Sequence, residues 1–202
     1  MNNIVYNEDC MVGMARYPDK HFDLAIVDPP YGLPASSTYG RGKLKNRILN
    51  TGNIQTWDIA PDAAYFTELF RVSKNQIIWG GNYFALPPTR GFVVWDKKQP
   101  WPNMSRCEYA WTSFQTVARM FEYRNMGKKI HPTQKPVKLY AWLLQHYAKQ
   151  GDKILDTHIG SGSSRIAAHI AGFDFTGFEI SLEYFAAQEE RFSAFGKQEM
   201  LL

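Results

Sequence analysis

The sequence is poor in cysteine, in long apolar runs and in net charge, and each shortage removes a class of protein. Only two cysteines, Cys10 and Cys107, occur in 202 residues, far apart and at no metal-ligand or disulfide-framework spacing. A stapled secreted fold and a thiolate metal site are both excluded, and a reducing cytosol is the natural compartment. No stretch approaches the roughly eighteen apolar residues that span a membrane. Met1-Asn2-Asn3 also lacks the basic and apolar build of an export signal, so the chain is expected to be soluble and cytoplasmic. Basic residues exceed acidic ones by 23 to 19, a formal charge of +4 with a pI near 9.0, which is a mild bias toward polyanionic partners. One local shortage is sharper. Between Gly32 and Trp57 there is no acidic residue and no apolar periodicity, while Arg41, Lys43, Lys45 and Arg47 cluster among glycine, serine and asparagine. A loop this long is usually functional or disordered.

What is present is an alternation of strands and helices, read as one α/β domain over residues 1–202. Short apolar runs at Ile4 to Tyr6, Phe22 to Val27, Gln76 to Trp79, Gly91 to Trp95, Lys153 to Asp156 and Phe173 to Phe178 predict strands. Helical spacing appears after Asn7-Glu8-Asp9-Cys10, after Pro61-Asp62, over Lys135 to Lys149, after Gly162 and over Leu182 to Phe195. After the strand at Gly91 to Trp95, Glu108 to Thr112 and Gln115 to Met120 read as two further strands, expected to pair as antiparallel neighbours. The expected architecture is therefore a Rossmann-like, mostly parallel doubly wound sheet with an antiparallel portion.

Two constellations carry chemistry. Asp28-Pro29-Pro30-Tyr31 follows a buried strand and so lies at a carboxyl edge, where open α/β sheets place ligands. Two prolines remove two backbone donors, leaving carbonyls beside a carboxylate and a ring: an acceptor-rich pocket that suits an amino group. A structural Pro-Pro turn with a capping Asp is the plainer alternative. The second constellation is Asp156, the turn Gly160-Ser161-Gly162, and Glu179, 23 positions after Asp156. This is the layout of a nucleoside-binding βαβ unit, with the second acid placed to accept from ribose hydroxyls. Arg165 stands where a dinucleotide fingerprint wants a third glycine, and a carboxylate at 156 repels pyrophosphate. S-adenosylmethionine, cationic and without phosphate, fits better.

Asp28 to Tyr31, then His131-Pro132-Thr133-Gln134-Lys135-Pro136, then Asp156 to Ser163 resemble, in that order and over nearly the whole chain, the amino-methylating DNA methyltransferases of the permuted β class. The resemblance implies an S-adenosylmethionine-dependent transfer to the exocyclic amine of a base flipped out of double-stranded DNA. Within it Asp28, Pro29, Pro30 and Tyr31 are the catalytic segment. Asp9, Cys10, Thr133, Lys135, Asp156, Gly160, Ser161, Gly162 and Glu179 are expected to face the cofactor, Lys135 by pairing with its carboxylate. A serine in place of Asp28 is commoner in that family for cytosine, so adenine N6 is favoured over cytosine N4. RNA or protein amine methylation, and a silent DNA-binding module, are the competing readings. Methylation at cytosine C5 needs a nucleophilic thiolate, usually after proline, and neither Cys10 nor Cys107 follows one.

Phosphate contacts are assigned to Arg41, Lys43, Lys45 and Arg47 and to Lys97, Lys98, Lys128 and Lys129, the latter four in a segment rich in aromatics that are expected mostly in the core. Two departures from the family pattern stand out. Asp156-Thr157-His158 replaces Asp-Pro-Phe, leaving His158 open between a structural and a functional role. Only 35 residues separate Trp95 from His131, too few for a separate recognition domain. Site choice then falls to segments 32–57 and 97–130, or is shared with a second subunit in a homodimer.

Overall fold

The computed structural model describes residues 2–33, 58–100, 105–126 and 129–199. Eight strands form one sheet: β1 (Asn3–Tyr6), β2 (Phe22–Val27), β3 (Ser73–Trp79), β4 (Phe92–Asp96), β5 (Cys107–Thr112), β6 (Arg119–Glu122), β7 (Lys153–Asp156) and β8 (Asp174–Phe178), in the order β1-β8-β7-β2-β3-β5-β4-β6. Only β5 runs against the others, because it is antiparallel to both β3 and β4 while every other pairing is parallel. The mostly parallel sheet with an antiparallel portion is thus as expected. The expected antiparallel pairing of the strand near Met120 is not. With β3 on one side of β5 and β4 on the other, β5 has no free edge, so β6 takes the remaining edge of β4 and runs parallel to it.

Helices α1 (Cys10–Met14), α2 (Ala63–Val72), α3 (Val137–Tyr147) and α4 (Ser163–Ile170) lie between these strands, and α5 (Leu182–Glu199) follows the last of them. On β2 successive side chains point to opposite faces. Leu24 and Ile26 join a cluster with Leu139 and Leu143 of α3 and Ala167 of α4. Ala25 and Val27 join Met14, Tyr65 and Leu69 on the other face. Both faces of β2 are covered, which is why its sequence is nearly continuously apolar rather than alternating.

Two boundaries have local causes. Helix α3 begins at Val137, not Lys135, because Pro136 occupies the N-cap and disfavours helical backbone at the residue before it. Lys135 is therefore free to turn away from the helix. Strand β1 pairs in parallel with β8, Asn3 opposite Phe175, so the amino-terminal strand extends the sheet next to the last strand of the chain.

Candidate active site

The sheet brings the two constellations to one edge. Ala25 is opposite Leu155, and Asp156 is opposite Gly177. Carrying this register past the strand ends places Asp28, His158 and Glu179 level with one another at the carboxyl ends of β2, β7 and β8.

Asp28 lies in a buried ionic cluster. Its Oδ1 accepts from the Tyr31 hydroxyl at 2.7 Å, and its Oδ2 accepts from the Lys135 ammonium. Lys135, with only 2% of its side chain exposed, is also 3.1 Å from Glu108 of β5, and its ammonium sits 5.2 Å from the centre of the Trp79 ring. Glu108 in turn meets Lys97 at 2.5 Å. Burial pulls the Lys135 pKa down, but Asp28 and Glu108 outweigh it and the net shift is upward. Burial likewise pushes Glu108 up, and Lys135 and Lys97 outweigh it to leave the carboxyl below its usual range. The anion expected beside Lys135 is here a pair of protein carboxylates.

The Tyr31 segment is pinned from behind. Asp58 accepts from the backbone N–H groups of Tyr31 at 2.9 Å, Gly32 at 3.0 Å and Leu33 at 3.2 Å. The Tyr31 ring stacks on Tyr83 with 5.0 Å between centroids. It lies so close to the end of β3 that a Cβ on Gly80, whose φ is +70°, would stand 2.2 Å from it. Glycine is required there for space as well as for backbone conformation.

On the other half of the edge, Glu8, Asp9, Cys10, Thr157, His158, Phe178, Glu179 and Ile180 line a cavity of about 80 Å³. Asp9 caps α1 by accepting from the Met11 N–H at 2.7 Å. Burial pushes the Cys10 thiol up to about 12, which keeps it from acting as a thiolate nucleophile. Glu179 accepts from the Gly160 and Ser181 N–H groups, both at 2.9 Å, and burial raises its pKa. Asp156 is 1% exposed and spends its oxygens inside the protein, on the His158 N–H at 3.0 Å and the Ser164 hydroxyl at 2.5 Å. It braces the turn whose Gly160 and Gly162 have φ of +49° and +73°. Ser161 is buried in that turn, and its carbonyl accepts from Arg191 at 2.6 Å.

The segment from His131 to Lys135 spans the two halves. Thr133 Oγ1 lies 3.1 Å from His131 Nδ1, the His131 ring is the nearest neighbour of the Cβ position on Gly160, at 3.5 Å, and Lys135 ends on Asp28.

The chain is similar to known proteins in sequence and in fold. A family model described as DNA methylase matches residues 94–190. The type II methyltransferase M2.MboI of Moraxella bovis is 24% identical over 93% of this chain and 86% of its own length. The crystal structure of an M1.HpyAVI-SAM complex superposes with a TM-score of 0.65 at 18% identity, covering 93% of this chain and 98% of that one. The PvuII DNA methyltransferase, named as cytosine-N4-specific, superposes with a TM-score of 0.67 at 15% identity, covering 95% and 86%.

In sequence the chain is similar to the DNA methylase family over residues 94–190. Its sheet is the Rossmann-like methyltransferase fold. Among the basic residues assigned to phosphate, Lys97 is tied into the Glu108 cluster. Lys129 lies near it, its pKa lowered by partial burial and by the Lys97 charge. Lys98 is held instead by Glu122 at 2.6 Å and Asp96 at 3.4 Å. Arg41, Lys43, Lys45, Arg47 and Lys128 lie outside the described residues. Two residues of the site escaped the sequence reading. Asp58 is the first acidic residue after the acid-free stretch, a signal that was available. Glu108 carried none, since a Glu at the start of a strand reads as a surface residue.

Proposed function

We propose that this protein is a DNA methylase that transfers a methyl group from S-adenosylmethionine to the exocyclic amine of a base swung out of double-stranded DNA, with adenine N6 the preferred amine. The observation that carries this reading is the placement of the Asp28 carboxylate level with an acid-lined cavity on the same sheet edge. The cavity suits the cofactor. Asp9 and Glu179 offer acceptors to hydroxyls and amines, Gly160 to Gly162 allow close approach, and the clustered carboxylates favour a cation. When bound, S-adenosylmethionine supplies an electrophilic methyl group on a positively charged sulfur.

The protein's part is orientation. An adenine amine is a weak nucleophile because its lone pair is delocalised into the ring. If its two N–H groups are accepted by the Asp28 carboxylate and the Pro29 carbonyl, the nitrogen is favoured in a pyramidal form with the lone pair directed at the methyl group. Each carboxylate oxygen accepts more than one hydrogen bond, so Asp28 can receive the amine while Tyr31 and Lys135 fix its plane. A carboxylate held by an ammonium serves first as acceptor. The proton of the methylated ammonium leaves afterwards to Asp28 or to water. Tyr31 supplies the ring against which the flipped base stacks, continuing the stack begun by Tyr83. Lys97 and Lys129 flank this site as candidate phosphate contacts, with the 32–57 and 97–130 segments, or a second copy of the chain, choosing the site.

The test is sequencing of modified bases in DNA from cells that express the wild type or Asp28→Ala. N6-methyladenine at a defined site is expected with the wild type and none with the variant, whose cofactor affinity stays within about twofold because Asp28 lies outside the cavity. Full methylation by Asp28→Ala overturns the mechanism, and N4-methylcytosine in its place overturns the choice of base.

A further inference from the structure

His158 stands where the family pattern has a phenylalanine, and its surroundings determine which ring nitrogen carries the proton. Tyr65 of α2 places its hydroxyl 2.7 Å from Thr157 Oγ1, and that oxygen is 2.9 Å from His158 Nδ1. The hydrogens of this chain can run in three ways, since a hydroxyl oxygen donates once and accepts twice. With a proton on Nδ1, His158 donates to Thr157; if Tyr65 donates there as well, the hydrogen of Thr157, a residue 2% exposed, has no acceptor among the described residues, and otherwise Thr157 donates to Tyr65. The Tyr65 hydrogen, on a residue only 3% exposed, is then left with no acceptor among the described residues, at the full desolvation cost of a buried donor. In the opposite direction Tyr65 donates to Thr157, Thr157 donates to Nδ1, and both hydroxyl hydrogens are used. The proton of the imidazole is then on Nε2. Burial lowers the His158 pKa to about 4, so at neutral pH the ring has this single N–H.

That N–H matters because of where the ring lies. The cavity wall contains the carboxylates of Glu8, Asp9 and Glu179, which only accept when ionised, and the Cys10 thiol, a weak donor. An adenosyl group has hydroxyl and amino hydrogens that suit these carboxylates. It also has ring nitrogens and ribose oxygens that need a donor. We propose that His158 is a cofactor-binding residue whose Nε2–H, held in place by the Tyr65-Thr157 relay, donates to an acceptor atom of the adenosyl group. A phenylalanine at this position supplies the ring face without the hydrogen bond. The inference rests on the S-adenosylmethionine reading of the cavity and adds a residue and a tautomer to it.

Two measurements on the full chain test it. Nitrogen-15 NMR of the ligand-free protein is expected to show a pyridine-like Nδ1 and a protonated Nε2 at His158; a proton on Nδ1 overturns the relay. Calorimetric titration with S-adenosylhomocysteine is expected to show binding weakened roughly two- to tenfold in His158→Phe, the range of one neutral hydrogen bond. His158→Gln, whose amide N–H can reach the position of Nε2, recovers most of that loss. Thermal unfolding of both variants checks that they fold, and if His158→Phe does not, the Gln variant and the NMR assignment still decide. Binding by His158→Phe as tight as by the wild type overturns the proposal while leaving the cofactor reading intact. Failure of the wild type to bind S-adenosylhomocysteine overturns the cofactor reading itself, whatever the tautomer.

Discussion

Replacing Lys135 with methionine removes an ammonium that two carboxylates share. At 3.1 Å from Glu108 the Coulomb attraction alone is about 5 kcal/mol at an effective dielectric constant near 20, and the contact with Asp28 adds to it. Desolvation of the ammonium offsets much of this. The measurable cost is that of leaving the carboxylates without their cation, about 3–5 kcal/mol for a fully buried pair. Asp28 and Glu108 retain 14% and 23% side-chain exposure, so water can partly replace the ammonium, and Lys97 still holds Glu108. The expected loss is therefore about 2–3 kcal/mol, equivalent to roughly 5–10 °C in Tm for a chain of this size.

Thermal unfolding followed by circular dichroism measures it, with Glu108→Gln and the double variant alongside. The double variant should lose less than the sum of the two single losses, because removing both charges leaves fewer unpaired. The pH dependence follows from the two shifts. The raised Lys135 contributes stability that is complete below its unfolded value of about 10.4 and is lost as pH rises through its folded value. The lowered Glu108 contributes stability that is complete above about 4.3 and is lost as pH falls through its folded value. The deficit of Lys135→Met is thus flat from roughly pH 5 to pH 10. A Tm within about 1 °C of wild type at pH 7.5 refutes the reasoning.

Asp156 behaves in the opposite sense: burial raises its pKa to about 7, so the folded state binds the proton more tightly than the unfolded one and stability falls as pH rises from about 4 to 7. Asp156→Asn should therefore gain in urea midpoint, relative to wild type, between pH 5 and pH 8; an equal difference at both pH values contradicts this. Arg165 bonds Asn3 at 2.6 Å, Gln188 at 3.0 Å and Glu189 at 2.6 Å and lies 3.9 Å from the Phe192 ring centre. Arg165→Ala should cost roughly 2–3 kcal/mol by denaturant titration, and a loss below about 0.5 kcal/mol would show that β1 and α5 do not depend on it. Gly80→Val should displace the Tyr31 ring and abolish methyl transfer while S-adenosylhomocysteine binding persists; retained transfer would remove Tyr31 from the site.

By itself, the sequence determined the order of strands and helices, the carboxyl-edge position of Asp28 and Glu179, and the glycine turn between them. These are set by apolar spacing, proline and glycine, whose effects are confined to a few neighbouring residues. The tertiary structure decided which charges meet. Lys135 and Asp28 are separated by 107 positions, and their contact exists because β2 and β5 flank β3 while Pro136 starts α3 two residues too late to absorb Lys135. Asp58 reaches three N–H groups behind Tyr31 across a stretch of sequence with no repeating pattern. Asp156, expected to face the cofactor, is drawn inward by Ser164 and the His158 N–H. Strand β5 reverses between β3 and β4, and only that reversal carries Glu108 to Lys135. The partners of a buried ion are chosen by sheet order and register, and neither is a local property of the chain.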